Sequence, residues 1–282
     1  MISEQHPLAN RTMVVSGGSR GIGLAIALGA AKLGANAVLL AKTSEPHPKL
    51  PGTVHTAVAE VEAAGGKGLA VVGDVRNEED VQRAVDAAVE RFGGIDIVVN
   101  NASAISTDPT EALSAKKFDL MMDINVRGTF LLTKAALPHL RKSTNAHVVT
   151  LAPPLNMNPY WLGAHPSYTL SKYGMTLLSL GWAAEYGSAE DGTAIGFSCL
   201  WPQTYIATSA VTNLAAGDEL VARSRTTDIM ADAAAEILTR PAAEANGQTF
   251  IDADVLTAAG VTDLSRYGGG DDPMWDIFVD KP

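Results

Sequence analysis

The chain has 282 residues, is 46% hydrophobic, and carries a formal charge of −10 from 21 basic and 31 acidic side chains. This is the usage of a folded globular protein rather than a disordered one, and an acidic surface without runs of Lys or Arg argues against nucleic acid and anionic membranes as partners. The single cysteine, Cys199, excludes an internal disulfide and a cysteine-based zinc site and fits a reducing compartment.

In chain order, the N-terminal MISEQHPLANR lacks the apolar core of a signal peptide. Residues 12–16 (TMVVS) predict a short buried strand, followed by the turn SGGSRGIG and a helix with Ile22, Ile26, Gly29 and Leu33 along one stripe. The most apolar stretch, residues 21–40, is interrupted by Lys32 and Asn36 and does not predict a membrane span. Further buried strands are expected at 37–41 (AVLLA), 69–73 (LAVVG), 96–100 (DIVVN) and 147–151 (HVVTL). Between two of these, Val81, Ala84, Val85, Ala88, Val89 and Phe92 recur at helical spacing, with Asn77 where an N-cap belongs. Helices are expected around 115–139, 167–187 and 229–238, and a last strand near 249–252. Segments 42–53 and 152–166 are proline-rich and irregular, and a tail from about residue 263 ends in DDPMWDIFVDKP with apolar anchors. Continuous apolar strands alternating with helices predict a single α/β domain over residues 1–282. Its core would be one doubly wound parallel sheet with helices on both faces, a Rossmann fold. A soluble, cytoplasmic protein is expected.

Gly17, Gly18, Gly21 and Gly23 lie where a strand runs into a helix. Glycines there let the backbone approach a pyrophosphate, and the helix N-terminus offers free N–H groups and partial positive charge. About 20 residues on, where an NAD-selective site needs a carboxylate for the ribose 2′-hydroxyl, the sequence reads Ala41-Lys42-Thr43 with no acid before Glu45. With Arg20 inside the glycine turn, two cations face the 2′ position, so NADP (NADPH) is favoured over NAD. The plain alternative is that both are solvated surface charges.

Tyr168 and Lys172 are four apart and share a helix face. A phenol is a poor acid or base at neutral pH, and an adjacent ammonium is expected to lower its pKa. Such a pair can exchange a proton with a carbonyl or carbinol oxygen while a hydride moves to or from nicotinamide.

Taken together, Ser16-Gly17-Gly18-Ser19-Arg20-Gly21-Ile22-Gly23, Asp74, Asn100-Asn101-Ala102-Ser103, Asn125, Tyr168-Thr-Leu-Ser-Lys172 and Pro202 resemble the short-chain dehydrogenase/reductase family over nearly the whole chain. The stretches around Ala41, Ala102 and Pro153 resemble a narrower group within it, whose members often carry a separate lipid-binding domain after the reductase. The resemblance implies that Gly17, Ser19, Arg20, Gly21, Ile22 and Gly23 cradle the phosphates. It implies that Asp74, with Val75 beside it, meets the adenine, and that Asn101, Ala102 and Ser103 line the ribose. Tyr168 would be the general acid/base and Lys172 would bind the nicotinamide ribose. Asn125 would anchor a relay water, with Pro202, Ile206 and Thr208 near the carboxamide. Two long helices, 115–139 and 167–187, would build a dimer or tetramer.

The pattern fails at one place. The family's catalytic serine lies about thirteen residues before the tyrosine, at the end of the fifth strand. Counting gives Leu155, and aligning on the strand gives Ala152 or Pro153, none with a hydroxyl. Asn156 and Asn158 are nearby donors, though turn roles suit both. The six histidines show no metal-ligand spacing, so no metal is expected, and Ser167 beside His165 lacks the G-x-S-x-G elbow of a hydrolase. The leading reading is an oxidoreductase acting on a small-molecule carbonyl/alcohol pair. Its rivals are a nucleotide-binding protein with weak or no catalysis and a structural oligomer with a vestigial cleft. Leu155, Met157, Tyr160, Trp161 and Leu162, just before Tyr168, would form a greasy wall for a lipid-like substrate, or else pack on the domain or a second subunit.

Overall fold

The computed structural model describes residues 6–46, 51–187, 194–212 and 217–281. Part of the proline-rich 42–53 segment (47–50), the opening MISEQ and Pro282 lie outside the described residues. Seven strands, β1 (Thr12–Ser16), β2 (Asn36–Ala41), β3 (Lys67–Val72), β4 (Ile97–Asn100), β5 (Ala146–Thr150), β6 (Ile195–Trp201) and β7 (Thr249–Ile251), form one sheet. Every pairing is parallel, in the order β3-β2-β1-β4-β5-β6-β7. Val14 pairs with Val38 on one side and Val98 on the other, so the direction of winding reverses between β1 and β4. The strand ends diverge there, which opens a crevice at their C-terminal edge.

The strands are apolar on both faces because helices cover both. Met13, Val15 and Leu39 face Ile26 and Ala30 of α1 (Gly21–Lys32), together with residues such as Ile229 and Ile237. Val14, Val38, Val98 and Val148 face the opposite way, toward Val81 and Val85, Leu132 and Trp182. The alternation is the two-residue period of a strand, with no polar face left over.

After α1 comes α2 (Val54–Ala63), a helix not expected from the sequence although Val54, Ala57, Val58 and Val61 recur at helical spacing. It starts at a capping box in which Thr53 Oγ1 accepts from Thr56 N (3.1 Å) and Thr53 N donates to Thr56 Oγ1 (2.8 Å). The expected amphipathic helix is α3 (Glu78–Phe92), capped by Asn77, whose side chain accepts from Glu79 N at 2.8 Å. The helix expected at 115–139 is α4 (Ala115–Met121), a π-helical turn (Met122–Arg127) and α5 (Gly128–Leu140) in unbroken succession. Short α6 (Pro159–Ala164) leads into α7 (Pro166–Tyr186). Then follow α8 (Ser209–Thr212), α9 (Gly217–Ala222), α10 (Asp228–Thr239), α11 (Ala242–Ala245) and α12 (Asp252–Ala258). No helix among the described residues is long and apolar enough to cross a membrane.

Beyond α12 the tail turns back over the C-terminal edge of the sheet. Met274 N donates to Arg223 O (2.9 Å), Tyr205 N to Met274 O (2.9 Å) and Asp276 N to Gln203 O (3.0 Å). Trp201 Nε1 donates to Ile277 O (2.9 Å). Phe278 is buried, takes a left-handed backbone (φ +75°), and sets its ring 5.2 to 6.2 Å from those of Tyr173, Trp201, Trp161 and Tyr168. A bulky residue holds φ above zero only where its surroundings compel it. Burial of this ring among four aromatic neighbours supplies that compulsion.

Candidate active site

A cleft of about 600 Å³ follows the crevice from the exit of β1 to the tail. At one end, Gly17 (φ +70°) and Gly21 (φ +59°) adopt backbone that side chains oppose. A Cβ on Gly17 would also come within 2.8 Å of Asn101 Nδ2. Asn101 ties the exit of β4 to this turn, donating through Nδ2 to Ser16 O (3.0 Å) and Gly17 O (3.1 Å). Arg20 donates through Nη2 to Gly52 O (3.0 Å), while its buried Nε has no partner among the described residues. Lys42 is mostly exposed and stands 3.5 Å from Asp74 Oδ2. Arg76 grips the same carboxylate at 2.7 Å, and that hydrogen bond, the largest influence, draws the Asp74 pKa down to about 2. An unpartnered buried guanidinium N–H, a second cation and a glycine cradle at a helix N-terminus fit an anionic phosphate ligand.

At the other end, Tyr168 and Lys172 of α7 are both buried. Lys172 Nζ donates to Leu151 O (2.9 Å) and lies 5.2 Å from the centre of the Trp201 ring. The pKa of Tyr168 is raised, not lowered as expected from the neighbouring Lys172. Burial first, then the charges of Asp276 and Tyr205, push that pKa up and keep the phenol protonated. Burial lowers the Lys172 pKa, which Asp276 opposes. Asp276 itself lines the cleft beside both residues, and burial raises its pKa to about 7.

Asn125 sits in the π turn and is wholly buried, behind the cleft lining rather than in it. Its Oδ1 accepts from Ala104 N (2.7 Å), and its Nδ2 donates to Ala104 O and Ser171 Oγ (both 2.9 Å). At the end of β5 it is Leu151 that borders the cleft, and none of Ala152, Pro153 and Leu155 does. Ala152 packs against Met175 and Cys199. The nearest strand hydroxyl, on Thr150, is held by Ser179 Oγ (2.9 Å) inside the core. Asn156 serves the tail, donating to Phe278 O (3.2 Å) and Asp280 Oδ2 (2.8 Å), and Asn158 caps α6. Both are turn residues.

Gly17, Ser19, Arg20, Gly21, Ile22, Lys42, Asp74, Val75, Asn101, Ala102, Ser103, Tyr168, Lys172, Pro202, Ile206 and Thr208 all border this one cleft. Gly23 and Asn125 stand behind it. The expected greasy wall does not form. Leu155, Met157 and Tyr160 are exposed, and Trp161 and Leu162 pack on the cluster around Phe278. Apolar lining comes instead from Ile105, Ile124, Leu151, Trp201, Tyr205, Val211 and Ile277. Asp276 was the main omission. Its signal in the sequence is slight: one acid inside the apolar run Trp275-Asp-Ile-Phe278.

Comparison with known proteins decides the family. The sequence pattern described as short chain dehydrogenase matches residues 11–219. The chain belongs to this family. Its members are NAD(P)-using oxidoreductases. Hydroxysteroid dehydrogenase-like protein 2 of Danio rerio is 48% identical over 282 residues, which cover 99% of this chain and 66% of the relative. The protein of that name from Xenopus tropicalis is 48% identical over 283 residues, again 66% of its length. The chain thus spans just under two thirds of these relatives, consistent with their reductase part, and they are the narrower group that the sequence resembles. A short chain dehydrogenase of Mycobacterium thermoresistibile superposes with a TM-score of 0.90 at 49% identity, covering 98% of this chain and 97% of that one.

Proposed function

We propose that this short-chain dehydrogenase is an NADP-dependent oxidoreductase that interconverts a bulky, lipid-like carbonyl compound and its alcohol. One observation carries the reading: a buried Tyr168–Lys172 pair shares a cleft with two cations, Arg20 and Lys42, and the turn after β2 has no acid before Glu45, while the carboxylate beside Lys42, that of Asp74, is gripped by Arg76. When bound, the dinucleotide supplies or accepts the hydride. Gly17, Ser19, Gly21 and Ile22 would hold its pyrophosphate, and Gly23 keeps the turn close to Asn101. Arg20 and Lys42 would pair with the 2′-phosphate, which offers the Arg20 Nε a partner. Asp74 and Val75 would receive the adenine; Asn101, Ala102 and Ser103 the ribose; Pro202, Ile206 and Thr208 the carboxamide end.

Tyr168, kept protonated by burial, is suited to donate its proton to the carbonyl oxygen as negative charge develops there, and to take it back in the reverse direction. Lys172 would hold the nicotinamide ribose. Asn125, its amide committed to Ala104 and Ser171, would anchor a relay water through its main-chain carbonyl. An apolar lining and the steroid-related name of the relatives favour a large apolar substrate over sugars and hydroxy acids. The same reading includes a reducing cytoplasmic setting, which suits the free, buried Cys199. It also includes a homo-oligomer joined through Leu120, Phe130, Leu170 and Leu177, exposed on α4, α5 and α7.

Fluorescence titration with both cofactors tests the assignment. NADPH should bind at least roughly tenfold more tightly than NADH, since that is about one phosphate–cation pairing, and Lys42→Glu should reverse the order. Equal affinities would overturn it. The second reading, a nucleotide binder with little catalysis, draws support from the missing hydroxyl at the end of β5. Turnover of NADPH across ketones, 3-ketoacyl thioesters and steroids separates the two.

A further inference from the structure

In a reductase of this kind the substrate oxygen needs hydrogen-bond donors besides the phenol, because charge builds on it in the transition state. Tyr168 is one donor. The end of β5 presents Leu151, and no residue of the segment that follows brings a hydroxyl or amide to the cleft lining. Polar groups elsewhere in this part of the wall are few, and one of them is a carboxyl group on the tail.

Asp276 borders the cleft with Tyr168, Lys172, Leu151, Trp201 and Tyr205. It is fixed there rather than frayed. Its N–H donates to Gln203 O (3.0 Å), its Oδ1 accepts from Ile277 N (2.6 Å), and the next carbonyl is held by Trp201 Nε1. Two residues on, the Phe278 ring stacks on that of Tyr168 (6.2 Å, 24° between planes), so the tail and the phenol are positioned as a unit. The second oxygen, Oδ2, has no hydrogen-bond partner among the described residues.

We propose that Asp276, as a neutral carboxylic acid, stands in for the missing serine by donating a hydrogen bond to the substrate oxygen beside Tyr168. The Asp276 proton stays on Asp276; the proton transferred to the substrate oxygen is that of Tyr168. The inference rests on the reductase reading above. Two charged groups, Lys172 and Asp252, act on this carboxyl, and it acts in turn on Tyr168 and Tyr205. Tyr168 and Lys172 lie on α7, Tyr205 follows β6, and Asp252 opens α12 with Arg225 beside it. Burial, the largest influence, and the Asp252 charge favour the neutral acid, whereas the Ile277 N–H bond and Lys172 favour the carboxylate. The balance places the midpoint at about 7, so the donor form is present at and below neutral pH. A carboxyl serving only as counter-ion to Lys172 would be needed in the opposite, ionised form.

Three variants and one spectroscopic measurement test this. With any substrate of the panel that the wild type turns over, Asp276→Leu should lower kcat by about 10²–10³-fold, the loss typical of one oxyanion donor, with the NADPH Kd unchanged. Asp276→Asn retains an N–H donor of the same shape and should recover at least roughly tenfold of that loss. Its kcat should also stay level through neutral pH, where that of the wild type falls. Independently of turnover, the infrared difference between wild type and Asp276→Asn should contain the C=O stretch of a protonated carboxyl at pH 6, fading as pH rises through about 7. Unimpaired Asp276→Leu overturns the proposal, as does an Asn variant no better than Leu, which would mark a counter-ion, or a missing carboxyl band. Tyr168→Phe is the control. If the wild type itself turns over no carbonyl or alcohol, the reductase reading falls and this role with it; if it does and Asp276→Leu matches it, only this role falls.

Discussion

Replacing Gly23 by alanine tests how tightly the glycine turn is built against the exit of β4. A Cβ at this position would lie 2.5 Å from Asn101 Nδ2, 2.8 Å from Gly17 O and 2.9 Å from Asn101 Cγ. None of these atoms is the free end of a flexible chain. Asn101 is pinned through Nδ2 to two carbonyls and through its own N–H to Ser16 Oγ (3.1 Å). Relief requires either that Asn101 gives up its two side-chain bonds, at about 1 kcal/mol each, or that α1 shifts, at about 1–3 kcal/mol for an overpacked site. A loss of about 1–3 kcal/mol follows, which for a chain of this size lowers Tm by roughly 2–12 °C. Thermal melts with and without NADPH provide the assay, and Gly181→Ala is the control. Gly181 is exposed inside α7 with nothing within 4 Å of the added carbon, so alanine there should stabilise by about 0.5–1 kcal/mol. A Gly23→Ala protein that melts with the wild type would refute the reasoning, because the contacts that forbid the methyl group would have to be absent.

Tyr168→Phe should abolish turnover while leaving NADPH affinity nearly intact, whereas Lys172→Ala should weaken both; steady-state kinetics beside a binding titration distinguish them, and an active Phe variant would move the chemistry elsewhere. Asp252 is fully buried, its Oδ2 lacks a partner among the described residues, and its pKa is raised to about 6, chiefly by burial. The folded state therefore holds this proton more tightly than the unfolded chain does. Its ionisation costs stability as pH rises through about 6, and the cost disappears below about 4. Asp252→Asn should accordingly gain up to roughly 3 kcal/mol over the wild type at pH 8 and little at pH 4. Urea midpoints across that range check it, and a difference independent of pH would contradict the assignment. Along a chain-length series of ketones or acyl thioesters, kcat/KM should rise with each buried methylene, by about 0.8 kcal/mol at most; a flat series would exclude a lipid-like substrate.

Much of this architecture is legible in the sequence because it is written in local patterns. Apolar runs such as Val14-Val15 and Val98-Val99 require cover on both faces, and Asn77 ahead of the Val81–Phe92 stripe fixes where α3 begins. Glycines at 17 and 21 are needed where φ turns positive. What escaped depends on contacts between distant parts of the chain. The π turn around Asn125 is a local change of winding inside a helix that continues on both sides, so the run 115–139 reads as one helix. α2 begins at two threonines, Thr53 and Thr56, directly after a proline-rich segment, and that setting hides the short stripe of Val54, Ala57, Val58 and Val61. Leu155, Met157 and Tyr160 have the composition of a pocket wall, but their exposure depends on how α6 packs against the tail. Asp276 is an unremarked acid in sequence and acquires its character only when Gln203, Trp201 and Phe278 draw it under cover.

The two ends of the cleft are anchored in different ways. The glycine end is built from the exits of β1, β2 and β4, so altering it means altering the sheet. The far end is closed by a segment that pairs with no strand of the sheet and is held by a few main-chain bonds and one aromatic cluster around Phe278. Substitutions between residues 273 and 280 can therefore reshape what sits beside Tyr168 without disturbing the sheet-built dinucleotide end. With the coenzyme held as proposed, this division would let one scaffold vary its chemistry while keeping its coenzyme. For directed evolution it singles out the tail as the place to randomise first.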